Sequence, residues 1–265
     1  MIPPPPTTPL RLVDSRWLTS SVRHFVFERS DGQPLSFVPG QFLRVKVAEG
    51  ERPDFRSYSI ANPTEPGRSD ARRIELVISM VEGGLGSALM SSLREGEEIH
   101  ATAPNGRFCL LPGDEEARRY LMLGTGTGVA PYRGMLPQIE SAAAAGRGTL
   151  LLLGNRSAGE QLYSDEFRAA AARSPGVELR FCHSRSLPET PDRHDVHAYV
   201  QDALASFQLD PEGDLAFLCG NPNMVDAAFE RLKAAGFHPR RIRREKYQTP
   251  VLPGSAVTTA RPASH

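Results

Sequence analysis

The hydrophobic pattern of the chain changes near its middle. Up to about Leu111, short stretches of alternating apolar and polar residues are separated by turn pairs such as Pro39-Gly40 and Asn105-Gly106. Alternation of this kind is typical of strands with one buried face, so this half predicts an antiparallel β-barrel or sandwich. The predicted elements are strands at Ser21–Glu28, Gln41–Val47, Arg73–Val81, Glu98–Ala103 and Arg107–Leu111 and one short helix at Gly86–Leu93.

The second half alternates apolar strands with amphipathic helices. This rhythm predicts a parallel sheet with helices on both faces. The predicted strands are Tyr120–Leu123, Thr149–Leu153, Val177–Cys182 and Leu215–Cys219. The predicted helices are Pro131–Ala145, Ser164–Ala172, Val196–Ser206 and Asn223–Ala235, and Pro137 either kinks the first of them or marks a late start.

A charged segment that starts with Pro112-Gly113 separates the two patterns and predicts the domain boundary. The resulting division is an extended Pro-rich lead at 1–9, a β-domain at 10–111, a linker at 112–117, an α/β domain at 118–247 and a C-terminal extension at 248–265. The extension is rich in Pro, Ser, Thr and Ala and shows no periodicity, which is typical of disordered segments.

Composition narrows the classes of function. The 265 residues, 40% of them hydrophobic, suffice for two cores, and equal counts of 31 basic and 31 acidic side chains argue against a nucleic-acid partner. No apolar run approaches the ~20 residues of a membrane span. The chain start lacks signal-peptide features, and three dispersed cysteines suit a reducing compartment, so we expect a cytoplasmic protein. Three thiolates do not make the usual four of an iron–sulfur cluster, and no metal site is predicted.

A glycine-rich loop lies where the first strand of the α/β domain meets its helix. Gly124, Gly126 and Gly128 allow a tight turn, and the amides at the start of the following helix favour an anion. The loop departs from the dinucleotide fingerprint because Val129 and Pro131 stand where its third glycine falls. The alternative is a plain tight turn, and the hydroxyls of Thr125 and Thr127, at hand for a ribose, phosphate or flavin, favour a ligand.

Two further candidates lie in the β-domain. The run Arg56–Ile60 offers a cation, hydroxyls and an aromatic ring, and so is either a phosphate clamp or an exposed barrel rim. The run Gly83–Ser87 precedes the short helix and is either an anion site or a simple cap in which Ser87 is the N-cap.

These motifs together resemble those of the bacterial type of the ferredoxin–NADP(+) reductase family, from about Leu10 to Tyr247. The matching segments are RSYSI (Arg56–Ile60), GGLGS (Gly83–Ser87), PNGRF (Pro104–Phe108), LGTGTGVAP (Leu123–Pro131), HSRS (His183–Ser186), LCGNPNMV (Leu218–Val225) and REKY (Arg244–Tyr247). The resemblance implies a six-stranded antiparallel β-barrel that binds FAD and a parallel-sheet α/β domain that binds NADP(H).

The resemblance also implies residue roles on the FAD side. Arg56 would clamp the pyrophosphate, Tyr58 would stack on the isoalloxazine ring, and Ser59 would hydrogen-bond near the flavin N5 atom. The remaining residues of this implied site are Ser57 in the same motif, and Leu85, Gly86 and Ser87, which would present amides and a hydroxyl to the pyrophosphate.

On the nicotinamide side, the resemblance implies that Ser59, Cys219 and Glu245 are catalytic and that Tyr247 covers the flavin face. Without the family, Cys219 is a buried strand cysteine and Tyr247 a terminal strand residue, and the chain that continues past Tyr247 constrains its ring. The implied coenzyme contacts are Thr125, Gly126, Thr127 and Gly128 in the loop and Arg156, Ser184, Arg185 and Arg193 around a 2′-phosphate, so NADPH is expected rather than NADH. Three solvated surface arginines are the alternative.

The implied activity is hydride exchange between NADPH and FAD followed by single-electron exchange with ferredoxin or flavodoxin, that is, a ferredoxin–NADP(+) reductase. A basic run at Arg240–Lys246 is either a docking surface for such an acidic partner or a solvated charge run. The rival functions are a reductase component that feeds an oxygenase and a non-catalytic flavin or nucleotide sensor. A sensor would bind flavin tightly without oxidising NADPH.

Overall fold

A computed structural model describes residues 4–48, 50, 53–65 and 70–247. The C-terminal extension predicted at 248–265 lies outside these ranges. None of the helices within them is both long and apolar enough to cross a membrane.

The first domain is built on six antiparallel strands, as the family resemblance implies. The sheet order is β5-β4-β8-β1-β2-β7, and a bridge between Ile60 and Leu76 joins its two edges and rolls it into a barrel. The elements are β1 (Thr7–Trp17), β2 (Val22–Arg29), β3 (Leu35–Ser36), β4 (Phe42–Ala48), β5 (Asp54–Ser59), β6 (Asp70–Ala71), β7 (Arg73–Ser79), α1 (Leu85–Ser92) and β8 (Glu98–Thr102).

Alternate residues of these strands fill the barrel. Phe25 and Phe27 of β2, Leu43 of β4 and Leu76 of β7 are fully buried in one cluster. The alternating pattern therefore predicts most strands within a few residues. The prediction of a strand at Arg107–Leu111 is wrong, because this segment does not pair within the sheet.

The longest strand was not predicted at all. β1 begins at Thr7, inside the predicted lead, and its first residues pair with β8, where Thr7 lies opposite Thr102. This pairing depends on a strand about 90 residues away along the chain, so local composition does not reveal it.

The second domain is a six-stranded parallel sheet flanked by helices. Its order is β12-β11-β10-β9-β13-β14, and every pair is parallel. The elements are β9 (Arg119–Thr125), α2 (Ala130–Gly134), α3 (Leu136–Ala144), β10 (Gly148–Asn155), α4 (Ser164–Arg173), β11 (Val177–His183), β12 (Asp195–Val196), α5 (Val200–Ala203), β13 (Asp214–Gly220), α6 (Pro222–Ala234) and β14 (Ile242–Lys246).

Two predicted helices differ in detail. The first is divided at Met135, and Pro137 lies in the first turn of α3, as expected for a residue without an amide hydrogen. The prediction of a helix over Val196–Ser206 is wrong at its start, where β12 forms instead. The edge strands β12 and β14 escaped prediction because β12 has two residues and β14 reads IRREK, which is mostly charged.

The two domains share a buried polar network centred on Arg133 of α2. Arg133 is 7% exposed, and its Nη1 donates to the barrel at the Ala61 carbonyl oxygen (3.0 Å) and the Glu75 carboxylate (2.5 Å). Its Nε donates to Glu166 of α4, in its own domain, at 2.7 Å.

Tyr163 and His24 complete this network. The guanidinium of Arg133 lies over the Tyr163 ring, 4.4 Å from its centroid, and the Tyr163 hydroxyl is 2.6 Å from Nδ1 of buried His24. Nε2 of His24 lies 3.6 Å from Glu75, and burial lowers the pKa of His24, which favours its neutral form. His24, Ala61, Glu75, Arg133, Tyr163 and Glu166 are called the interdomain network below.

The amino ends of β9 and β13 are held by a separate ion pair. Asp214 is 2% exposed and accepts from Nε (3.0 Å) and Nη2 (2.6 Å) of Arg119, the residue beside it in the register. The amide of Asp210 also donates to it at 2.9 Å. Both carboxylate oxygens are thus bonded inside one domain.

We predict that Asp214→Asn lowers the free energy of unfolding by about 2 kcal/mol, because it leaves the Arg119 charge without its counter-ion. Urea unfolding measures this value. The control is Asp202→Asn, whose carboxylate pairs with Arg231 at the surface and should change stability by less than about 1 kcal/mol. Equal losses in the two variants would contradict the prediction.

Candidate functional site

A cleft of about 1200 Å³ lies between the domains. It opens at the carboxyl ends of β9 and β13, where the strand order of the parallel sheet reverses, and the barrel supplies its other wall. Ligands of open parallel sheets bind at such reversal points. Residues predicted from the sequence to bind ligands lie on both walls of this cleft.

The barrel wall includes β5, together with residues of β2 and β7. Nη1 of Arg56 donates to Asp54 (2.6 Å) and to the Phe55 carbonyl oxygen (2.9 Å), whereas its buried Nε has no partner among the described residues. A buried donor in this position can bond an oxygen of a ligand or of water. Ser57, Tyr58 and Ser59 follow Arg56 along this wall of the cleft.

Helix α1 approaches the same wall through a glycine. A Cβ added at Gly86 would overlap the Tyr58 hydroxyl, so the helix start fits against β5 only because Gly86 has no side chain. The expectation that Ser87 is the N-cap is wrong, since Gly84 takes that position. Ser87 lies in the first turn, where its oxygen accepts from the Val81 amide at 2.8 Å, so its own hydroxyl hydrogen remains available to a ligand. Leu85 precedes it and is 48% exposed.

The structure brings the three residues predicted to be catalytic together with Tyr247. The hydroxyls of Ser59 and Tyr247 are 2.5 Å apart and join the barrel to the end of the second domain. Cys219 of β13 belongs to the apolar cluster against which Tyr247 packs, and it lies opposite Glu245 of β14 in the register. One cluster therefore contains residues separated by nearly 190 positions in the chain.

Burial controls the protonation of this cluster. It raises the pKa of Glu245 to about 7 and raises those of Cys219 and Tyr247 well above their ordinary values. The thiol and the phenol are therefore neutral at physiological pH, and Glu245 is the group that titrates there.

The glycine loop packs against the end of β13. A Cβ at Gly128 would overlap the Cys219 carbonyl group, and one at Gly220, whose φ is +121°, would lie 2.5 Å from the Thr125 oxygens. Thr125 accepts from the Asn221 amide at 2.9 Å, and Thr127 lies 3.4 Å from Ser79 of the barrel. The Thr125 hydroxyl thus holds the loop against the end of β13, and the Thr127 hydroxyl holds it against β7 of the barrel.

Gly126 differs from the other loop glycines. Its φ is +54°, and a Cβ there would meet no atom within 4 Å, so the backbone faces open cleft. After it the chain forms a 3₁₀ turn, Gly126–Val129, and then α2. A ligand can approach the loop closely at this point.

Arginines lie at the far end of the cleft, beyond β10 and β11. Arg156, Ser184 and Arg185 line it, and the amide of Arg185 donates to the Arg156 carbonyl oxygen at 2.9 Å. Arg193 is not among the lining residues, and its Nε is 3.3 Å from Nε2 of His194. The structure therefore brings two of the three expected arginines together.

Two residues of this end were missed by sequence reasoning. Glu160 accepts from Nε (2.9 Å) and Nη2 (2.5 Å) of Arg156, and this hydrogen bonding lowers the pKa of Glu160. Its spacing of four residues from Arg156 was a signal that could have revealed it. Tyr199, an aromatic side chain 58% exposed at the N-cap of α5, also lines the cleft.

The basic run Arg240–Lys246 is largely engaged within the protein. Arg243 pairs with Asp114 of the linker, Arg244 lies 3.8 Å from the centroid of the Phe229 ring, and Lys246 is 2.7 Å from Asp226. These contacts fix β14, and they pair two of the five basic charges of the run with carboxylates. Within the described ranges, no group of three or more His, Cys, Asp or Glu side chains is arranged to hold a metal ion.

Comparison with known proteins identifies both halves. Residues 9–109 match the family model of the oxidoreductase FAD-binding domain, and residues 122–230 match that of the oxidoreductase NAD-binding domain. The orphaned Nε of Arg56 and the glycine cradle at Gly86 fit the first, and the loop and arginines fit the second.

Similar proteins include reductases of different systems. Ferredoxin–NADP reductase B of Sorangium cellulosum is 33% identical over 242 residues, which cover 89% of this chain and 96% of that protein. The reductase subunit of an Amycolatopsis aromatic O-demethylase is 32% identical over 81% of this chain, and the electron transfer component of Pseudomonas putida toluate 1,2-dioxygenase is 28% identical over 88%. The chain spans only 62% and 65% of the lengths of these two relatives.

Solved structures agree with the fold. A cytochrome P450 reductase from Amycolatopsis superposes with a TM-score of 0.74 at 29% identity, covering 92% of this chain and 71% of that one. A ferredoxin–NADP(+) reductase from Neisseria gonorrhoeae with bound FAD and NADP superposes with a TM-score of 0.75 at 22% identity, covering 91% and 98%. The chain thus belongs to the ferredoxin–NADP reductase family of flavoprotein oxidoreductases and pairs an FAD-binding domain with a nicotinamide dinucleotide-binding domain.

Proposed function

We propose that this flavoprotein is an NADPH-dependent reductase that passes single electrons to ferredoxin or flavodoxin. The observation that carries the proposal is the cluster of Ser59, Cys219, Glu245 and Tyr247, which forms only where the two domains meet. Bound FAD supplies the redox chemistry, since it accepts a hydride and releases electrons one at a time. The protein positions the reactants and sets the charge around them.

The FAD pyrophosphate is held by β5 and α1 in this proposal. The partnerless Nε of Arg56 donates to a phosphate oxygen, and the Ser87 hydroxyl and the amides of Leu85 and Gly86 donate to others. Tyr58 provides the stacking face for the isoalloxazine ring. Ser57 and Ser59, two positions apart and so on one face of β5, supply hydroxyls.

Tyr247 covers the flavin face that the nicotinamide must reach. Its hydroxyl is held by Ser59, so the ring has a defined resting position that a coenzyme displaces at some cost. Cys219 then lies beside the nicotinamide. Ionised Glu245 stabilises the positive charge that the nicotinamide ring gains when it gives up a hydride.

Coenzyme choice depends on the arginine end of the cleft. The charge of Arg185, the hydroxyl of Ser184 and the guanidinium of Arg156 favour a 2′-phosphate, although Glu160 shares the Arg156 donors. Tyr199 offers an exposed ring on which an adenine can stack. The loop from Thr125 to Gly128 contacts the dinucleotide between these two ends.

The identity of the electron acceptor is the most specific part of the proposal. Ferredoxin–NADP reductase B of Sorangium cellulosum supports ferredoxin, whereas the O-demethylase and toluate dioxygenase relatives support an oxygenase component as the second candidate. The internal contacts of Arg243, Arg244 and Lys246 weaken the case for β14 as a docking surface for an acidic protein.

The decisive experiment measures the spectrum and the acceptors of the purified protein. We expect a yellow protein with noncovalent FAD that oxidises NADPH with an artificial acceptor and reduces ferredoxin or flavodoxin with a higher kcat/KM than an oxygenase component. The reverse order of acceptors would favour the second candidate. A protein that binds FAD tightly yet does not oxidise NADPH with any acceptor would be a sensor.

Paired arginine variants control the flavin half of this experiment. Arg56→Ala should lose most of its FAD, because the pyrophosphate loses a charge-assisted hydrogen bond of roughly 1.5–3 kcal/mol. Arg44→Ala, on the neighbouring strand and stacked on Phe55, should retain FAD. Equal flavin contents would place the pyrophosphate elsewhere.

We predict that Arg185→Ala weakens NADPH binding by about tenfold or more and leaves NADH nearly unaffected, because only NADPH carries the 2′-phosphate. Steady-state kinetics with both coenzymes measure the change. Arg193→Ala, which removes an arginine outside the cleft lining, should have the smaller effect. Equal losses for NADPH and NADH, or a wild type that prefers NADH, would contradict the assignment.

The raised pKa of Glu245 predicts a pH dependence. The folded protein holds this proton more tightly than the unfolded chain, so the contribution to stability is complete below about 4.5 and is lost as pH rises through about 7. Glu245→Gln should therefore match the thermal stability of the wild type near pH 5 and exceed it near pH 8.

Activity should follow the opposite trend with pH. Flavin reduction by NADPH should rise through about pH 7 in the wild type, as Glu245 ionises, and should be slower and flat in Glu245→Gln. Glu230→Gln, which changes an exposed carboxylate on α6, serves as the control. Identical profiles in all three proteins would remove Glu245 from the mechanism.

A further inference from the structure

We propose that the interdomain network positions the two domains for hydride transfer. The inference rests on the proposed function, because it concerns the distance between a flavin on one wall of the cleft and a nicotinamide on the other. None of the six described residues of the network is among those lining the cleft. They are therefore positioning residues, which act by holding the elements that form the cleft walls.

The network is attached to both walls at short range. Arg133 follows the glycine loop by one helical turn, and Tyr163 follows Leu162, which lines the cleft. On the barrel side, His24 and Glu75 lie on β2 and β7, whose residues Val22 and Ser79 line the other wall. A displacement in the network consequently moves both reactants.

The charged residues of the interdomain network oppose separation of the two domains. Arg133 bonds a carboxylate in each domain, Glu75 in the barrel and Glu166 in α4, and it also donates to the Ala61 carbonyl. If the domains separated, Arg133 would keep only Glu166, and the barrel would be left with unpaired acceptors. Arg133 is buried, whereas Glu75 and Glu166 are partly exposed, so a displacement that leaves Arg133 buried without Glu75 is unfavourable and the network favours one domain arrangement.

Tyr163 carries a second and independent sign of constraint. Its φ of +56° is the only positive value of a non-glycine residue in the described ranges. With the His24 Nε2 proton directed at Glu75, the Tyr163 hydroxyl donates to Nδ1 across the domain boundary. Backbone strain of this kind persists where the surroundings fix the residue, and it concentrates at functional positions.

Hydride transfer is sensitive to such positioning. Reacting atoms must lie about 3–3.5 Å apart, and a displacement of about 1 Å by a remote substitution costs up to about a hundredfold in rate. The reactants belong to different domains here, so the contacts between the domains set that separation.

The test compares variants inside and outside the network. Tyr163→Phe removes the hydroxyl that reaches His24, and Glu75→Gln removes the charge shared by His24 and Arg133. The matched controls are Tyr120→Phe, whose hydroxyl bonds the Asp114 carbonyl, and Asp214→Asn, both at the amino end of the parallel sheet. The measurements are FAD content, affinity for 2′,5′-ADP, and the saturating rate of flavin reduction by NADPH.

We expect both network variants to reduce flavin about tenfold more slowly, with FAD content and 2′,5′-ADP affinity unchanged. The controls should lose stability and keep the wild-type rate. Wild-type rates in both network variants, or equal losses in the controls, would overturn the proposal.

A further measurement separates this inference from the proposed function. A wild type that holds FAD but is not reduced by NADPH contradicts the proposed function, and hydrogen exchange then tests the network without turnover. Tyr163→Phe should increase amide exchange in both β7 and α2 relative to Tyr120→Phe. Unchanged exchange in those elements would show that the network does not hold the domains together.

Discussion

The close contact between the glycine loop and the end of β13 is the constraint on which the site depends. Gly128 lies directly against the Cys219 carbonyl group, and Gly220 lies against Thr125, at distances that no Cβ permits. These contacts bring two strand ends together at the point where the sheet order reverses. The nucleotide loop and the strand that carries Cys219 thus share one edge of the cleft, and the barrel needs only to dock against that edge.

The interface between the two domains combines apolar packing with a few charged side chains. Val22, Ala61 and Val77 of the barrel pack in the same cluster as Tyr132 and Met135 of the second domain. Apolar contact is not directional, so it alone leaves the relative rotation of two domains poorly defined. Bonds with fixed geometry from Arg133 and Tyr163 supply the direction.

Much of the fold followed from hydrophobic period and turn residues. Strands with one partly exposed face, such as β2, and buried parallel strands, such as β10, have hydrophobic patterns that can be recognised locally in the sequence. β1, β12 and β14 do not, because the start of β1 depends on pairing with distant β8, β12 has only two residues, and β14 is mostly charged. The absence of a strand at Arg107–Leu111 has a similar cause: Phe108 is buried against Tyr132 and Phe217 of the other domain, a contact that no local pattern encodes.

The residues of the candidate site also divide into those that a local sequence motif reveals and those that it does not. Arg56, the glycine loop and Arg185 could be named from motifs, since each motif is continuous in sequence. The interdomain network could not, because its contacts join residues of different domains, such as Glu75 of the barrel and Arg133 of α2. Glu160 is intermediate, because only its spacing of four residues from Arg156 marks it. Arg193 stays a prediction, because it is not among the residues that line the cleft.

The position of β14 has a consequence for synthesis of the protein. The barrel strands and β9 to β13 all precede it, yet Glu245 of β14 and the adjoining Tyr247 complete the cluster around Ser59. A nascent chain emerging from the ribosome can therefore fold its barrel and most of its second domain while those two groups are still missing. The cluster around Ser59 is therefore completed only after the barrel residues that line the cleft have been synthesised.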